Sequence, residues 1–132
     1  MLRFVFAFAV LASPVAAQTG GCGEPEFFPE NVVGEIAPGD KGADGALIFF
    51  EEPCDGAVYI ATPDGNPLGR VNESWRLWAF VDAIYADGAD RIDVTAEFVT
   101  GIGPTGAEPF RVRIPLTQND GAWAAGEAVV VD

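Results

Sequence analysis

Residues 75–98 hold the feature that most constrains the fold: two long apolar segments joined by the short sequence ADGAD. Apolar and polar residues alternate after this turn, with Ile92, Val94, Ala96 and Phe98 in the apolar positions. A period of two is typical of a strand with one buried face. The Asp-Gly pair at positions 87 and 88 favours a reverse turn. The stretch therefore predicts a β-hairpin at the centre of the fold.

The first strand of this hairpin is apolar on both faces. Strict alternation places Leu77, Ala79, Val81, Ala83 and Tyr85 on one face and Trp78, Phe80 and Ile84 on the other. One of these sets is enough to supply the core. The other set predicts either a strand in the middle of a sheet or an exposed aromatic surface. Trp75, Trp78, Phe80 and Trp123 are the candidate binding residues.

The rest of the chain also reads as strands separated by turns. Further strands are predicted near residues 31–36, 46–50, 57–61, 110–117 and 122–131. Pro115 lacks a backbone donor, which predicts an edge strand or the end of a strand. Residues 101–109, GIGPTGAEP, predict a long irregular loop. After residue 17, no window has helical periodicity free of proline and glycine, so an all-β chain is expected.

Six or seven short strands in one small domain predict a two-layer antiparallel β-sandwich of the immunoglobulin-like kind. A small β-barrel is the alternative. Residues 46–132 are predicted to form the body of the sandwich. Residues 18–45, rich in glycine, proline and acids, are predicted to form a loosely structured entrance.

Residues 1–17 have the pattern of a secretory signal peptide. Arg3 precedes an apolar run over residues 4–12, and small residues close the segment at Ala17. The run is too short to cross a membrane, which needs about 20 apolar residues. We therefore expect cleavage after Ala17, no membrane insertion afterwards, and a periplasmic or extracellular location.

Cys22 and Cys54 are the two cysteines of the chain. In an oxidising compartment such a pair is expected to form a disulfide, which would tie the entrance segment to the body. Two thiolates without any histidine fall short of a zinc site, so the predicted role is structural.

The charge of the chain limits its partners. Seven basic residues face 20 acidic ones. Removal of the signal peptide removes Arg3 and no acid, which gives 6 − 20 = −14 for the mature chain. Nucleic acid and anionic lipid need a cationic surface, so neither is an expected partner.

The residue inventory also limits catalysis. The chain has no histidine, and the mature part has one lysine, Lys41, and one serine, Ser74. Serine–histidine and cysteine–histidine pairs are therefore impossible. Paired carboxylates are the remaining option, but acids are so frequent that a pair by itself indicates nothing. No catalytic residue and no cofactor are predicted.

Two acidic segments are candidate calcium sites. Asp40, Asp44, Gly45 and Glu51 match positions one, five, six and twelve of an EF-hand loop. Gly42 stands at position three, and Pro38 and Gly39 replace the entering helix, so the match is partial. Asp87, Asp90 and Asp93 form a second group around the central turn. Solvated loop acids are the expectation for both, and no metal is predicted.

The function expected from these observations is surface recognition without catalysis. A sandwich that lacks catalytic residues commonly binds another protein or takes part in an envelope assembly, which is an analogy at the level of the fold. The alternative is a carbohydrate-binding module that holds sugar rings on surface tryptophans.

Overall fold

The computed structural model describes residues 23–40, 44–100 and 108–131. Within these ranges there is no α-helix, and nine strands form two antiparallel sheets. The strands are β1 (Val32–Ile36), β2 (Leu47–Glu51), β3 (Val58–Ala61), β4 (Pro67–Arg70), β5 (Arg76–Tyr85), β6 (Arg91–Val99), β7 (Phe110–Asn119), β8 (Ala122–Ala125) and β9 (Val129–Val131). A short 3-10 helix, Pro29–Asn31, precedes β1. The predicted all-β, two-layer sandwich is confirmed.

The chain completes one sheet before it begins the other. Sheet A has the order β1-β2-β3-β4, and sheet B has the order β5-β6-β7-β8, with β9 also paired to β7. Each sheet is thus a meander of consecutive strands, whereas immunoglobulin domains have Greek-key connections between their sheets. The likeness to that fold is one of layers and not of connectivity. Both sheets are open, so the barrel alternative is wrong.

The inner faces of the two sheets form the main core. Sheet A contributes Ile36, Phe49, Val58 and Ile60, and sheet B contributes Ile92, Val94, Phe98, Val112, Ile114 and Leu116. The alternation predicted for β6 is present, since its burial switches at each residue as far as Phe98. Each fully buried side chain of this size stabilises the fold by about 1.5–3 kcal/mol relative to exposure.

Sheet A also buries part of its outer face. The Phe27 ring packs edge-on against Phe50 at 5.3 Å between centroids, and Phe50 stacks on Tyr59 at 5.7 Å. Ile48 and Phe50 are buried as a result. This cover explains why β2 is apolar at consecutive positions. The strand predicted near residues 31–36 is confirmed as β1, which pairs with β2.

The strands predicted near residues 46–50 and 57–61 are confirmed as β2 and β3, which pair as a hairpin, and a buried carboxylate fixes its turn. An oxygen of Glu52 accepts hydrogen bonds from the backbone N–H groups of Cys54 at 2.8 Å and Asp55 at 3.1 Å. Asp55 in turn accepts from the N–H of Ala57 at 2.9 Å. Cys22 lies outside the described residues, so its disulfide with Cys54 stays a prediction.

Strand β4 was not predicted, because Pro67 and Gly69 make its sequence read as a turn. It lies at the edge of sheet A, where a proline is tolerated. Gly69 lies against the backbone of Trp123 in β8, so close that a Cβ atom at this position would overlap the Trp123 carbonyl oxygen. The two sheets therefore meet along this edge.

The crossing from sheet A to sheet B is held by a buried amide. The Oδ1 atom of Asn72 accepts a hydrogen bond from the N–H of Val58 at 2.8 Å, and its Nδ2 donates to the carbonyl of Trp75. The Nε of Arg70 donates to the carbonyl of Asn72 at 2.8 Å. These bonds fix the start of β5 relative to β3.

The prediction that Pro115 marks an edge or a strand end is wrong, because β7 lies between β6 and the β8 and β9 segments. The carbonyl of Pro115 accepts from Gly126 N–H at 2.7 Å, on the side where the last strand is interrupted between β8 and β9. In an antiparallel strand the N and O of one residue point to the same side. The missing donor therefore faces the interruption. The single predicted last strand is divided at this point.

The hairpin turns follow glycine positions. The sequence NDG at residues 119–121 forms the turn between β7 and β8, with positive φ at Asp120 and Gly121 as a two-residue turn of the primed type requires. In the central hairpin the positive φ belongs to Gly88 and not to Asp87. Most of the predicted loop at residues 101–109 lies outside the described residues.

Candidate functional site

Strand β5 contains two β-bulges that change which side chains point outward. Its pairing with β6 shifts between Leu77 and Ala79 and again between Phe80 and Asp82. At each shift, two consecutive residues of β5 share the outer face. The outward residues are Trp78, Ala79, Val81, Asp82 and Ile84, and the inward residues are Leu77, Phe80, Ala83 and Tyr85.

The face assignment from strict alternation is therefore wrong for Phe80, Ala79 and Val81. The first bulge moves Phe80 to the core side, where its ring lies 5.3 Å from that of Phe49. Phe80 also lies directly against Gly34 of β1, where a Cβ atom would overlap its ring. The second bulge returns Ala83 and Tyr85 to the face that strict alternation assigns to them, which is the core side. The extra residues of both bulges, Trp78 and Val81, stay outside.

The result is an exposed apolar row on an edge strand. Trp78 is 63% exposed, Ile84 53% and Val81 43%. We call these three residues the β5 row. Strand β5 is the edge of sheet B, so the row lies at the rim of the sandwich. Exposed aromatic and branched side chains that lie together on a rim are a common mark of an interaction surface.

The other three predicted binding residues lie elsewhere. Trp75 is half-buried and packs on Phe98 at 5.7 Å and on Phe110 at 5.4 Å between ring centroids. Trp123 is 6% exposed and belongs to the main core. Phe80 packs inward as described above. The structure therefore does not bring the four residues to one surface, and only Trp78 offers a largely open ring.

Val81 and Ile84 complete the row and were not among the predicted site residues. The sequence contains no glycine or proline between Arg76 and Tyr85 that would signal a bulge. The one sign of the two bulges in the sequence is that the inward residues Leu77, Phe80 and Ala83 are spaced by three instead of two.

An unpaired carboxylate lies within the row. Asp82 is exposed and lies opposite Thr95 of β6, and no basic side chain pairs with it in the described part of the chain. The acids further into the sheet are paired, since Asp93 contacts Arg91 at 3.1 Å and Glu97 contacts Arg111 at 3.0 Å. Asp82 is thus the negative charge that a partner on this row would meet.

A small cavity opens where the row ends. It has a volume of about 150 Å³, and its walls are Ile36, Asp40, Ala83, Ile84 and Tyr85. Tyr85 is 5% exposed, and its hydroxyl has no hydrogen-bond partner among the residues that the structure describes. Burial raises the pKa of Tyr85, and the negative charges of Asp40 and Asp44 raise it further. The phenol therefore stays protonated at neutral pH.

A second cavity, of about 250 Å³, also has Tyr85 in its wall. Asp44, Leu47, Leu68, Gln118 and Trp123 line it together with Tyr85. The amide nitrogen of Gln118 is already engaged, because it donates to Asp90 at 3.0 Å and to the carbonyl of Ala89 at 3.3 Å.

The acidic residues of the two candidate calcium segments do not form a metal site within the described residues. In the described ranges no group of three or more histidine, cysteine or acidic side chains could hold a metal ion. Glu51 lies in β2, and residues 41–43 of the EF-hand-like segment are outside the description. In the second group, Asp87 and Asp93 contact Arg91, and Asp90 accepts from Gln118.

Glu51 carries a testable pH dependence. Burial raises the pKa of its carboxyl above 4.5, and the positive charge of Arg76 offsets part of the rise. The folded protein then binds this proton more readily than the unfolded chain. The contribution of Glu51 to stability is therefore most favourable below pH 4.5, and it declines as the pH rises toward the folded-state pKa.

We expect Glu51→Gln to melt at a higher temperature than the parent protein at neutral pH, because the glutamine carries no charge to desolvate. The difference should shrink to nothing below pH 4.5, as followed by thermal melts across the pH range. Glu127→Gln, which removes an exposed charge, serves as the control. A neutral-pH melt of Glu51→Gln below that of the parent would show that attraction to Arg76 outweighs burial.

Comparison with known proteins finds no matching family model, no similar curated protein and no similar solved structure. None of the described residues forms a helix long and apolar enough to span a bilayer.

Proposed function

We propose that the protein is an exported, non-catalytic β-sandwich module that binds another protein, as a recognition domain or as part of an envelope assembly. The observation that carries this proposal is the exposed β5 row of Trp78, Val81 and Ile84 on the rim of sheet B.

The row favours a partner because leaving it in water is costly. Apolar surface gains on the order of 25 cal/mol per Å² when it is removed from water. The bulges add Val81 to this outer face, whereas Trp78 and Ile84 would point outward under regular alternation as well. Bulges and the charge of Asp82 also protect an edge strand from uncontrolled pairing. A specific partner would use the row while these features limit aggregation.

Export and the absence of catalysis rest on the sequence. The signal peptide pattern of residues 1–17 supports export, and the lack of histidine supports a non-catalytic role. A disulfide between Cys22 and Cys54 fits an exported domain.

A glycan is the second candidate ligand, and the open indole of Trp78 is the observation that favours it. A flat aromatic face can stack on a sugar ring. Trp75 and Trp123 do not join Trp78 on this surface, so the case rests on one ring.

The test uses the mature protein as bait in an envelope extract, followed by affinity measurement with the purified captured protein. We expect Trp78→Ala to weaken binding by about 30-fold or more, as for a hot-spot residue of about 2 kcal/mol. The matched control is Val130→Ala in β9, because Val130 is 69% exposed at the opposite rim of the same sheet. This variant should bind like the parent.

Both variants should melt like the parent protein, since the two side chains are exposed. A glycan array probed with the same set of proteins decides between the two candidates. Sugar binding that is lost in Trp78→Ala would favour the carbohydrate module. Equal capture by Trp78→Ala and the parent would remove the β5 row as the binding surface.

A further inference from the structure

We propose that the cavity at the end of β5 receives a lysine side chain of the partner protein whose apolar residues cover the β5 row. This inference rests on the proposed function and adds the chemistry of the partner: apolar side chains followed by a lysine.

The walls of the cavity match the two parts of a lysine side chain. Ile36, Ala83 and Ile84 are apolar wall residues that suit the methylene stem, and Asp40 and Tyr85 are the wall residues whose side chains carry an oxygen for the ammonium group. Lysine commonly buries its stem in this way while its charged end contacts polar groups. A volume of about 150 Å³ admits one such side chain and little more.

The Tyr85 hydroxyl is the independent sign that a ligand belongs here. Tyr85 is 5% exposed, and its hydroxyl has no partner within the described residues. A buried polar group without a hydrogen bond is destabilising. An ammonium group has three donors, so it can serve both the hydroxyl oxygen and the Asp40 carboxylate.

The local charge selects a cation. Asp40 lines the cavity, Asp44 lies near enough for its charge to affect Tyr85, and Asp82 stands unpaired in the neighbouring row. None of the described wall residues is basic. The whole chain has a net charge of −13, which draws a basic partner toward it and repels a second copy of itself.

Row and cavity form one continuous surface, because Ile84 belongs to both. A partner segment that packs apolar side chains on Trp78 and Val81 would therefore carry its next side chain to the cavity.

Lys41 of the same chain is the competing occupant, since it follows Asp40 directly in the sequence and lies outside the described residues. Lys41→Gln separates the two cases. If Lys41 filled the cavity, its removal would strengthen the binding of a neutral molecule of the same shape as well as that of an added amine.

The experiment titrates the mature protein with butylammonium, a mimic of the lysine side chain, and follows backbone amide shifts by NMR. We expect saturable shifts at Ile36 and at residues 83–85, and weaker binding at high salt, which screens the charges. The neutral control is 1-butanol, which has the same stem without the charge. Its affinity should be lower than that of butylammonium by a factor of up to about five, as expected for loss of one partly exposed ion pair.

Asp40→Asn and Tyr85→Phe should each weaken butylammonium binding by up to about fivefold. Glu127→Gln removes one negative charge far from the cavity, and it should bind like the parent. Tighter binding of neutral 1-butanol by Lys41→Gln would identify Lys41 as the occupant and overturn the proposal, because the loss of the Lys41 charge does not affect a neutral probe. Shifts spread over all acidic residues, or equal shifts with 1-butanol, would also overturn it.

This titration needs no partner protein, so its failure is separate from failure of the proposed function. If butylammonium binds but no partner protein is captured, the cavity is a site for an alkylammonium group and the proposed protein-binding function is refuted. If a partner is captured through Trp78 but butylammonium does not bind, the proposed protein-binding function stands and the proposed lysine site is refuted.

Discussion

Reduction of the mature protein is expected to lower its stability by about 3–4 kcal/mol, the chain-entropy value for a loop closed between Cys22 and Cys54. For a domain of this size that loss corresponds to a fall in melting temperature on the order of 10 °C. The expectation follows from the small share of the core that the segment before β1 supplies, which leaves it dependent on a covalent tie.

The predicted disulfide would have a role at the outer face of sheet A. Phe27 covers Phe50 and lies five residues after Cys22, a distance that extended chain can span over about 17 Å. Cys54 lies in the turn that follows β2, held by the Glu52 carboxylate. A bond between the cysteines would fasten the cover near the strand that it protects.

Thermal melts with and without reductant measure the effect. Cys54→Ser is the control, because reductant should not shift its melt. The intact mass of the protein recovered after secretion tests both the predicted cleavage after Ala17 and the loss of two hydrogens that a disulfide would cause. Two free thiols in the native exported protein would contradict the prediction.

Gly69→Ala is expected to cost about 2–3 kcal/mol, in the upper range for overpacking at a close contact. The Cβ atom would overlap the carbonyl oxygen of Trp123 and lie 2.9 Å from its carbonyl carbon. Backbone atoms cannot turn aside as a flexible side chain can. The edges of the two sheets would therefore have to separate at β4 and β8.

The matched control is Gly45→Ala, since a Cβ atom there has no neighbour within 4 Å among the described residues and Gly45 is not among the glycines with positive φ. It should be neutral or slightly stabilising, because alanine restricts the unfolded chain. Urea denaturation of both variants gives the comparison. A Gly69→Ala midpoint equal to that of the parent would show that the sheets do not meet in solution as described.

The candidate site depends on the same principle of close approach between sheets. Gly34 leaves room for the Phe80 ring at the other corner of the sandwich, where β1 lies beside β5. Phe80 can enter the core there because a bulge has turned it inward. The bulge that supplies this core contact also turns Val81 outward, beside Trp78 and Ile84, so the core contact and the exposed row share part of their structural origin.

The sequence by itself determined the class of the fold and most of its strands. Local sequence patterns show features that depend only on residues close together in the chain. These features are the alternation in β6 and β7, the Asp-Gly turns and the lack of helical periodicity. The short apolar run of β2 and its hairpin with β3 were also readable for this reason.

Tertiary structure alone decided the strand order, the role of Pro115 and the composition of the site. Pro115 is tolerated in a paired strand because a break in another strand faces it, and β4 is a strand because it pairs with β3, with Gly69 leaving room for Trp123. The two bulges of β5 arise from pairing with β6 and from packing of Phe80 on Phe49, contacts between residues distant in sequence. A period of two read along one strand cannot report such contacts, because a single extra residue reverses the face of every side chain that follows it.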